Sequence, residues 1–155
     1  PTLGSELVVA DPYATSRWNA VGNTLSNPTA TSLRATRPSS AGHEQGANTG
    51  IYYDSKGILG ANLTVGAVYE LTFEFETDAT NGNARFYPGG GSYTQFTEGS
   101  RSISHIFEAL GTGCILSANQ ILNDKYAQWG NISLKQINGN PATLVNTPTF
   151  STDIP

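Results

Sequence analysis

The chain has 155 residues and a formal net charge of −4, with charged residues at only 13%, about half the ~25% of an ordinary soluble protein. Basic residues are not clustered, which excludes a nucleic-acid binder that must displace counterions, and no stretch approaches the ~20 apolar residues that span a bilayer as a helix. An apolar content of 37% and an aromatic content of 10% are enough to fill a core and exclude wholesale disorder. The single cysteine, Cys114, permits no internal disulfide, so packing and hydrogen bonds must hold the fold. The first ten residues lack the basic start and long apolar run of a secretory signal. The chain begins with Pro rather than Met, which fits either a trimmed start or a piece of a longer protein.

No window sustains apolar residues at i, i+3, i+4 and i+7, so helices are not expected. Strand candidates follow one another between turn residues. The first covers 6–9, followed by a loop with Trp18 and a second strand at 32–35. A polar loop runs over 38–48, then a strand at 50–53. Val68–Thr77 is the strongest candidate: Tyr69, Leu71, Phe73 and Phe75 fall on one face and Glu70, Thr72, Glu74 and Glu76 on the other, as a half-buried strand requires. Further candidates are 84–87, 93–96, 102–108, 114–117 and 131–137. Gly- and Asn-rich turns separate several of them, at 81–83, 88–91 and 111–113. Residues 121–126 suit a short helix or a turn. The pattern predicts an all-β fold, an antiparallel two-sheet β-sandwich over residues 1–137. Residues 138–155 carry three prolines and little periodicity, and read as an extended arm or linker. Its apolar residues Leu144, Val145, Phe150 and Ile154 are too few for a core of their own and suit insertion into the grooves of a neighbouring subunit.

Several phrases carry a resemblance. They are Gly4-Ser-Glu-Leu-Val8, the run Leu63-Thr-Val-Gly-Ala-Val-Tyr-Glu-Leu-Thr-Phe73, the closing Gly130-Asn-Ile-Ser-Leu-Lys-Gln-Ile-Asn-Gly-Asn140, and the tail Thr143-Leu-Val-Asn-Thr-Pro-Thr-Phe-Ser-Thr-Asp-Ile-Pro155. Together they resemble the carbohydrate-binding-module-like jelly-roll domains that recur in tail and virion structural proteins of marine bacteriophages. The resemblance implies a jelly roll with adjacent first and last strands, a virion or extracellular location, repeated or homo-oligomeric assembly with other virion subunits, and a surface polysaccharide as ligand. From composition and motifs, no nucleic acid, no membrane insertion and no cofactor are expected. Related modules place an acidic residue just before the Asn of the last strand, where it helps hold a structural Ca²⁺. Here that place is Gly130, which leaves Glu6 without its companion and puts the ion in doubt. Asn62-Leu-Thr64 and Asn131-Ile-Ser133 match glycosylation acceptors that a phage protein would leave unmodified.

Sugar sites place aromatic faces against the ring and amides or carboxylates against the hydroxyls. Tyr52, Tyr87, Tyr93 and Trp129, assisted by Glu70 and Glu74, are the candidates, each against the alternative of core or loop packing. The Glu70, Glu74 and Glu76 row is read as a solvated strand face rather than a catalytic pair. The glycines of 89–91 lack the Lys and Ser/Thr of a phosphate loop. His105 and Cys114 lack an orienting third group, and no Cys or His spacing suits a metal. The expectation is therefore a non-enzymatic virion adhesion or structural module, such as a tail fibre, appendage or capsid decoration. A carbohydrate-binding module appended to a polysaccharide-active enzyme is the alternative, and a small glycan lyase or hydrolase a third reading.

Overall fold

Alternation builds the ten-residue strand at 68–77 as the sequence predicts: Tyr69, Leu71, Phe73 and Phe75 are at most 3% exposed, while Glu74 and Glu76 on the opposite face meet water. The structure is a computed structural model, and it describes residues 2–20, 23–38, 47–48, 57–90, 92–97 and 99–139. Its strands are β1 (Thr2–Glu6), β2 (Asn19–Ala20), β3 (Thr24–Ser26), β4 (Ser32–Thr36), β5 (Ala47–Asn48), β6 (Val68–Thr77), β7 (Asn83–Tyr87), β8 (Thr94–Phe96), β9 (Arg101–Glu108), β10 (Ile115–Asn119) and β11 (Tyr126–Asn138). One sheet has the order β3-β4-β11-β6-β9, with β1 also on β11; a second has the order β10-β7-β8; β2 and β5 form a short ribbon. Every pairing is antiparallel. The result is an all-β sandwich of two antiparallel sheets.

The two sheets meet through aromatic rings. Phe73 of β6 meets Phe96 of β8 edge-on at 5.7 Å, and Phe107 of β9 meets Phe86 of β7 at 4.6 Å. Edge-to-face pairs of this kind add to the area they bury. At one end Trp18, at the close of a 3-10 turn (Thr15–Arg17), stacks on Trp129 of β11 at 5.1 Å, and its indole N–H donates to the Pro12 carbonyl at 2.8 Å. Chain 88–93 joins β7 to β8. Within it Gly89 has φ +98, and a Cβ there would stand 2.5 Å from the Gly113 carbonyl. Only glycine fits both conditions.

β11 organises the larger sheet. One edge pairs with β6 along most of its length. The other edge pairs first with β4, over 126–130, and then with β1, where Glu6 opposes Lys135 and Thr2 opposes Asn138. Between these partners lies a β-bulge: Gly130 opposes Glu74 and Ser133 opposes Thr72, so two residues face one. Asn131 takes φ +47 there, a conformation that Asn tolerates better than most residues.

Some boundaries differ from the sequence reading. β1 occupies 2–6 rather than 6–9, because its pairing with β11 is made upstream of Glu6. β11 begins at Tyr126, not Asn131; its small Ala127 and Gly130 hide the alternation that Trp129 continues. Of the two readings of 121–126, the turn holds, closed by the Lys125 amide on the Leu122 carbonyl at 3.1 Å; Arg37 ties it to β4, its guanidinium donating to the Ile121 carbonyl at 3.0 Å and its own carbonyl accepting from the Asp124 amide at 2.8 Å. The 38–48 loop includes β5, and β3 went unread. The 50–53 candidate lies outside the described residues, as do residues 140–155 with Leu144, Val145, Phe150 and Ile154. Because Phe73 is fully enclosed between the sheets, Phe73→Ala should lower unfolding stability by about 3–5 kcal/mol. Chemical denaturation with an unchanged slope would show it.

Candidate functional site

The outward face of the larger sheet is polar, and it dips where β11 carries Gly130. A Cβ at that position would stand 3.2 Å from the Thr31 carbonyl and 3.7 Å from the Glu74 carboxylate, so the missing side chain leaves a notch in the middle of the sheet. Around it lies a groove of about 620 Å³ that crosses four strands, from Ser100, Arg101 and Ser102 over Glu74 and Glu76 to Gln128, Gly130 and Asn131, and on to Ser32, Thr31 and Thr29. Register explains the assembly: Ser32, Gly130, Glu74 and Ser102 form one cross-strand row, and Arg34, Gln128 and Glu76 form the next.

That second row is held by a relay of contacts. The Arg34 Nε donates to the Gln128 Oε1 at 2.9 Å, the Gln128 amide donates to Glu76 at 3.4 Å, and the Tyr126 hydroxyl donates to the other Glu76 oxygen at 2.6 Å. The Arg34 guanidinium lies 3.7 Å above the Tyr126 ring centre. The hydrogen bond to Glu76, together with burial, raises the Tyr126 phenol above its ordinary pKa. Glu74 stands on the exposed rim without such a tie among the hydrogen bonds described, its carboxylate directed at the notch.

The structure separates the residues singled out in the sequence. Glu74 lines the groove. Glu70 sits further along the same face, accepting from Ser104 at 3.2 Å. Tyr87 and Tyr93 belong to the other sheet: their rings lie 5.3 Å apart, and Arg85 lies 4.5 Å from the Tyr93 centre, so they close the β7–β8 hairpin against each other. Trp129 is fully buried, touching Trp18 and Phe75, and offers no face to a ligand; its place on the inward row of β11 makes it a core residue. Its indole N–H has no hydrogen-bond partner among the described residues. Tyr52 lies outside the described residues. The sequence reading missed Glu76 as a groove residue, although it belongs to the same outward row, and missed Gln128 and Thr31, whose strands or loops it did not place.

Two further groups bear on the chemistry. Cys114 is buried in apolar surroundings that push its thiol up to about 12, which makes it inert as a nucleophile. His105 sits among Phe86, Phe96 and Phe107, and burial lowers its pKa.

Both carboxylate oxygens of Glu6 accept hydrogen bonds. One Glu6 oxygen accepts from the backbone amides of Leu134 at 2.8 Å, Val8 at 3.0 Å and Leu7 at 3.1 Å, and the other accepts from the Ser133 hydroxyl. A hard cation needs free carboxylate oxygens from several directions; here both oxygens are spent on donors and Gly130 brings no carboxylate. These residues do not fit a calcium ion.

No protein-family model and no curated protein matches the sequence. Solved structures do. The chain aligns with an arabinose-bound α-L-arabinofuranosidase at a TM-score of 0.56 and 13% identity, covering 86% of this chain and 27% of that one. With the enzymatically active domain of bacteriophage CBA120 tailspike protein 4 the TM-score is 0.57 at 11% identity, covering 84% and 21%. With the N-terminal cellulose-binding domain of a Cellulomonas fimi β-1,4-glucanase it is 0.52 at 14%, covering 84% and 95%. The chain has a carbohydrate-binding-module-like fold. It spans a minor part of the first two proteins, and at these identities the likeness extends to the fold alone.

Burial by itself would raise the Glu6 pKa, but the bonds from Ser133, Leu134 and Val8 and the charge of Lys135 outweigh it, and the pKa is lowered. A depressed carboxylate stabilises the fold above its unfolded pKa, and the contribution fades as pH falls through the folded value. Glu6→Gln should therefore cost about 1 kcal/mol at neutral pH, allowing for partial exposure. The gap to the wild type should narrow below the ordinary carboxylate value of ~4.3. Thermal melts of both proteins across pH 3–7 check this.

Proposed function

We propose that the chain is a non-catalytic module that holds a polysaccharide in the groove over Gly130, and that it serves in a virion or other extracellular adhesion structure carrying many copies. The observation that carries the reading is the composition of the groove. Carboxylates of Glu74 and Glu76, the Gln128 amide and the hydroxyls of Thr31 and Ser102 converge on one depression in a sheet face, and such a set of acceptors and donors suits the hydroxyls of a sugar chain. Gly130 supplies the clearance for the chain to lie close to the sheet.

The engagement of Glu76 speaks against catalysis. Glycoside hydrolysis needs two carboxyls free to act on the bond to be cut, and Glu76 has both of its oxygens held, by Tyr126 and Gln128. The inert Cys114 supplies no nucleophile in their stead. The setting follows from the resemblance of the sequence to phage structural modules, and the tailspike among the solved structures supports it. Attachment to a polysaccharide-active enzyme is the second reading, favoured by the glucanase and arabinofuranosidase that share the fold.

One shallow polar site should bind weakly, with Kd roughly in the micromolar to millimolar range, so function depends on multivalency. Calorimetry or affinity electrophoresis against a panel of soluble neutral and acidic polysaccharides should find a ligand. Glu74→Ala and Gln128→Ala should each weaken it about tenfold or more, while thermal melts show the fold intact. Failure of every polysaccharide to bind would overturn the reading. Release of reducing ends by the purified protein, abolished by Glu74→Gln, would replace it with an enzyme.

A further inference from the structure

The groove does not stop at the edge of β4. Beyond Thr31 and Asn131 the surface falls into two more depressions, of about 370 and 390 Å³, that share Ala10, Pro12, Tyr13 and Thr31. Thr31 lines all three depressions, and Asn131 lines the first and one of the others. The two residues form a low saddle between the sheet groove and a basin beside Tyr13. The basin lies where β11 changes partner on that edge: β4 pairs as far as Gly130 and β1 only from Lys135 on, which leaves a gap in the ladder between them.

Tyr13 fills part of that gap. Its hydroxyl accepts the Ile132 amide at 2.9 Å, and its carbonyl accepts the Asn27 side-chain amide at 2.7 Å. The neighbouring Pro12 carbonyl is held by the buried Trp18 indole at 2.8 Å, and Arg17 pairs with Asp11 at 2.6 Å. Tyr13 is half-buried and anchored at both ends, so its ring is a fixed wall of the basin. A fixed aromatic wall binds with little loss of side-chain freedom, and its face suits the apolar face of a sugar ring.

The geometry points to Tyr13 as an aromatic subsite, separated from the sheet groove by the Thr31–Asn131 saddle, that takes further sugar units of the same ligand. The preferred ligand is then a long, extended glycan chain rather than a short oligosaccharide or a chain end. This inference rests on the glycan reading of the groove.

The test is affinity against chain length, using an oligosaccharide ladder of a polysaccharide found to bind. Wild type should gain about tenfold in affinity when the ladder grows long enough to cross the saddle. Tyr13→Leu should keep the affinity for short members and lose that gain. Tyr13→Phe, which keeps the ring but not the hydroxyl, should retain it if thermal melts show the bulge intact. Two results would overturn the subsite while leaving the groove reading standing: Tyr13→Leu matching wild type at every length while Glu74→Ala still weakens binding, or Tyr13→Leu weakening short and long members equally. Binding of no member or parent polysaccharide by the wild type would overturn the subsite together with the groove reading on which it rests.

Discussion

The strand that crosses the middle of the larger sheet, β11, must satisfy three partners with one backbone. It lies against β6 on one edge and passes from β4 to β1 on the other. A strand cannot change neighbours without a break in its ladder, and an unpaired amide shielded from water costs about 1–3 kcal/mol. The break falls between Gly130, the last residue opposite β4, and Lys135, opposite Glu6 of β1, and on the other edge β11 bulges against β6 over the same stretch. Two side chains from distant parts of the chain then supply the missing acceptors: Tyr13 takes the Ile132 amide and Glu6 takes the Leu134 amide. Glu6 also accepts the Leu7 and Val8 amides that follow it, so the start of the chain is fastened to its last strand by one carboxylate. A position where a related module would hold a cation is thus closed by hydrogen bonds.

The same break shapes the surface. Gly130 sits immediately before the bulge, where its lack of a side chain makes the notch, and Asn131 turns outward at positive φ. Groove and seam are therefore one feature seen from outside and inside. The polar row beside the notch is ordered before any ligand arrives, because Arg34, Gln128, Glu76 and Tyr126 restrain one another. Side chains already fixed lose less entropy when a ligand engages them, which favours the proposed glycan site.

Aromatic residues divide by task. Phe73, Phe86, Phe96 and Phe107 join the two sheets, and Trp18, Phe75 and Trp129 fill the end of the sandwich below the groove. Tyr69 belongs to both worlds: its ring stacks on Phe107 at 5.7 Å and its hydroxyl accepts the Thr64 amide at 2.8 Å. With no disulfide available, these contacts replace covalent stapling.

The sequence by itself determined the fold class and the strand at 68–77. The period-two alternation of Val68–Thr77 and the lack of helical spacing are local signals, and burial of one face follows from them directly. It also marked Glu74 as an outward carboxylate and Gly130 as a departure from related modules. What only the tertiary structure decided is which residues share a surface. Trp129 and Tyr93 look alike as ligand candidates in the chain, yet one is sealed in the core by its inward place on β11 and the other packs on a separate sheet from Glu74. The groove joins residues from β4, β6, β9 and β11, brought together by register across long stretches of chain. Register depends on the partner strand as much as on the strand itself. Tyr13 carries no periodic signal at all, and its role arises because a ladder broken more than a hundred residues later needs an acceptor there.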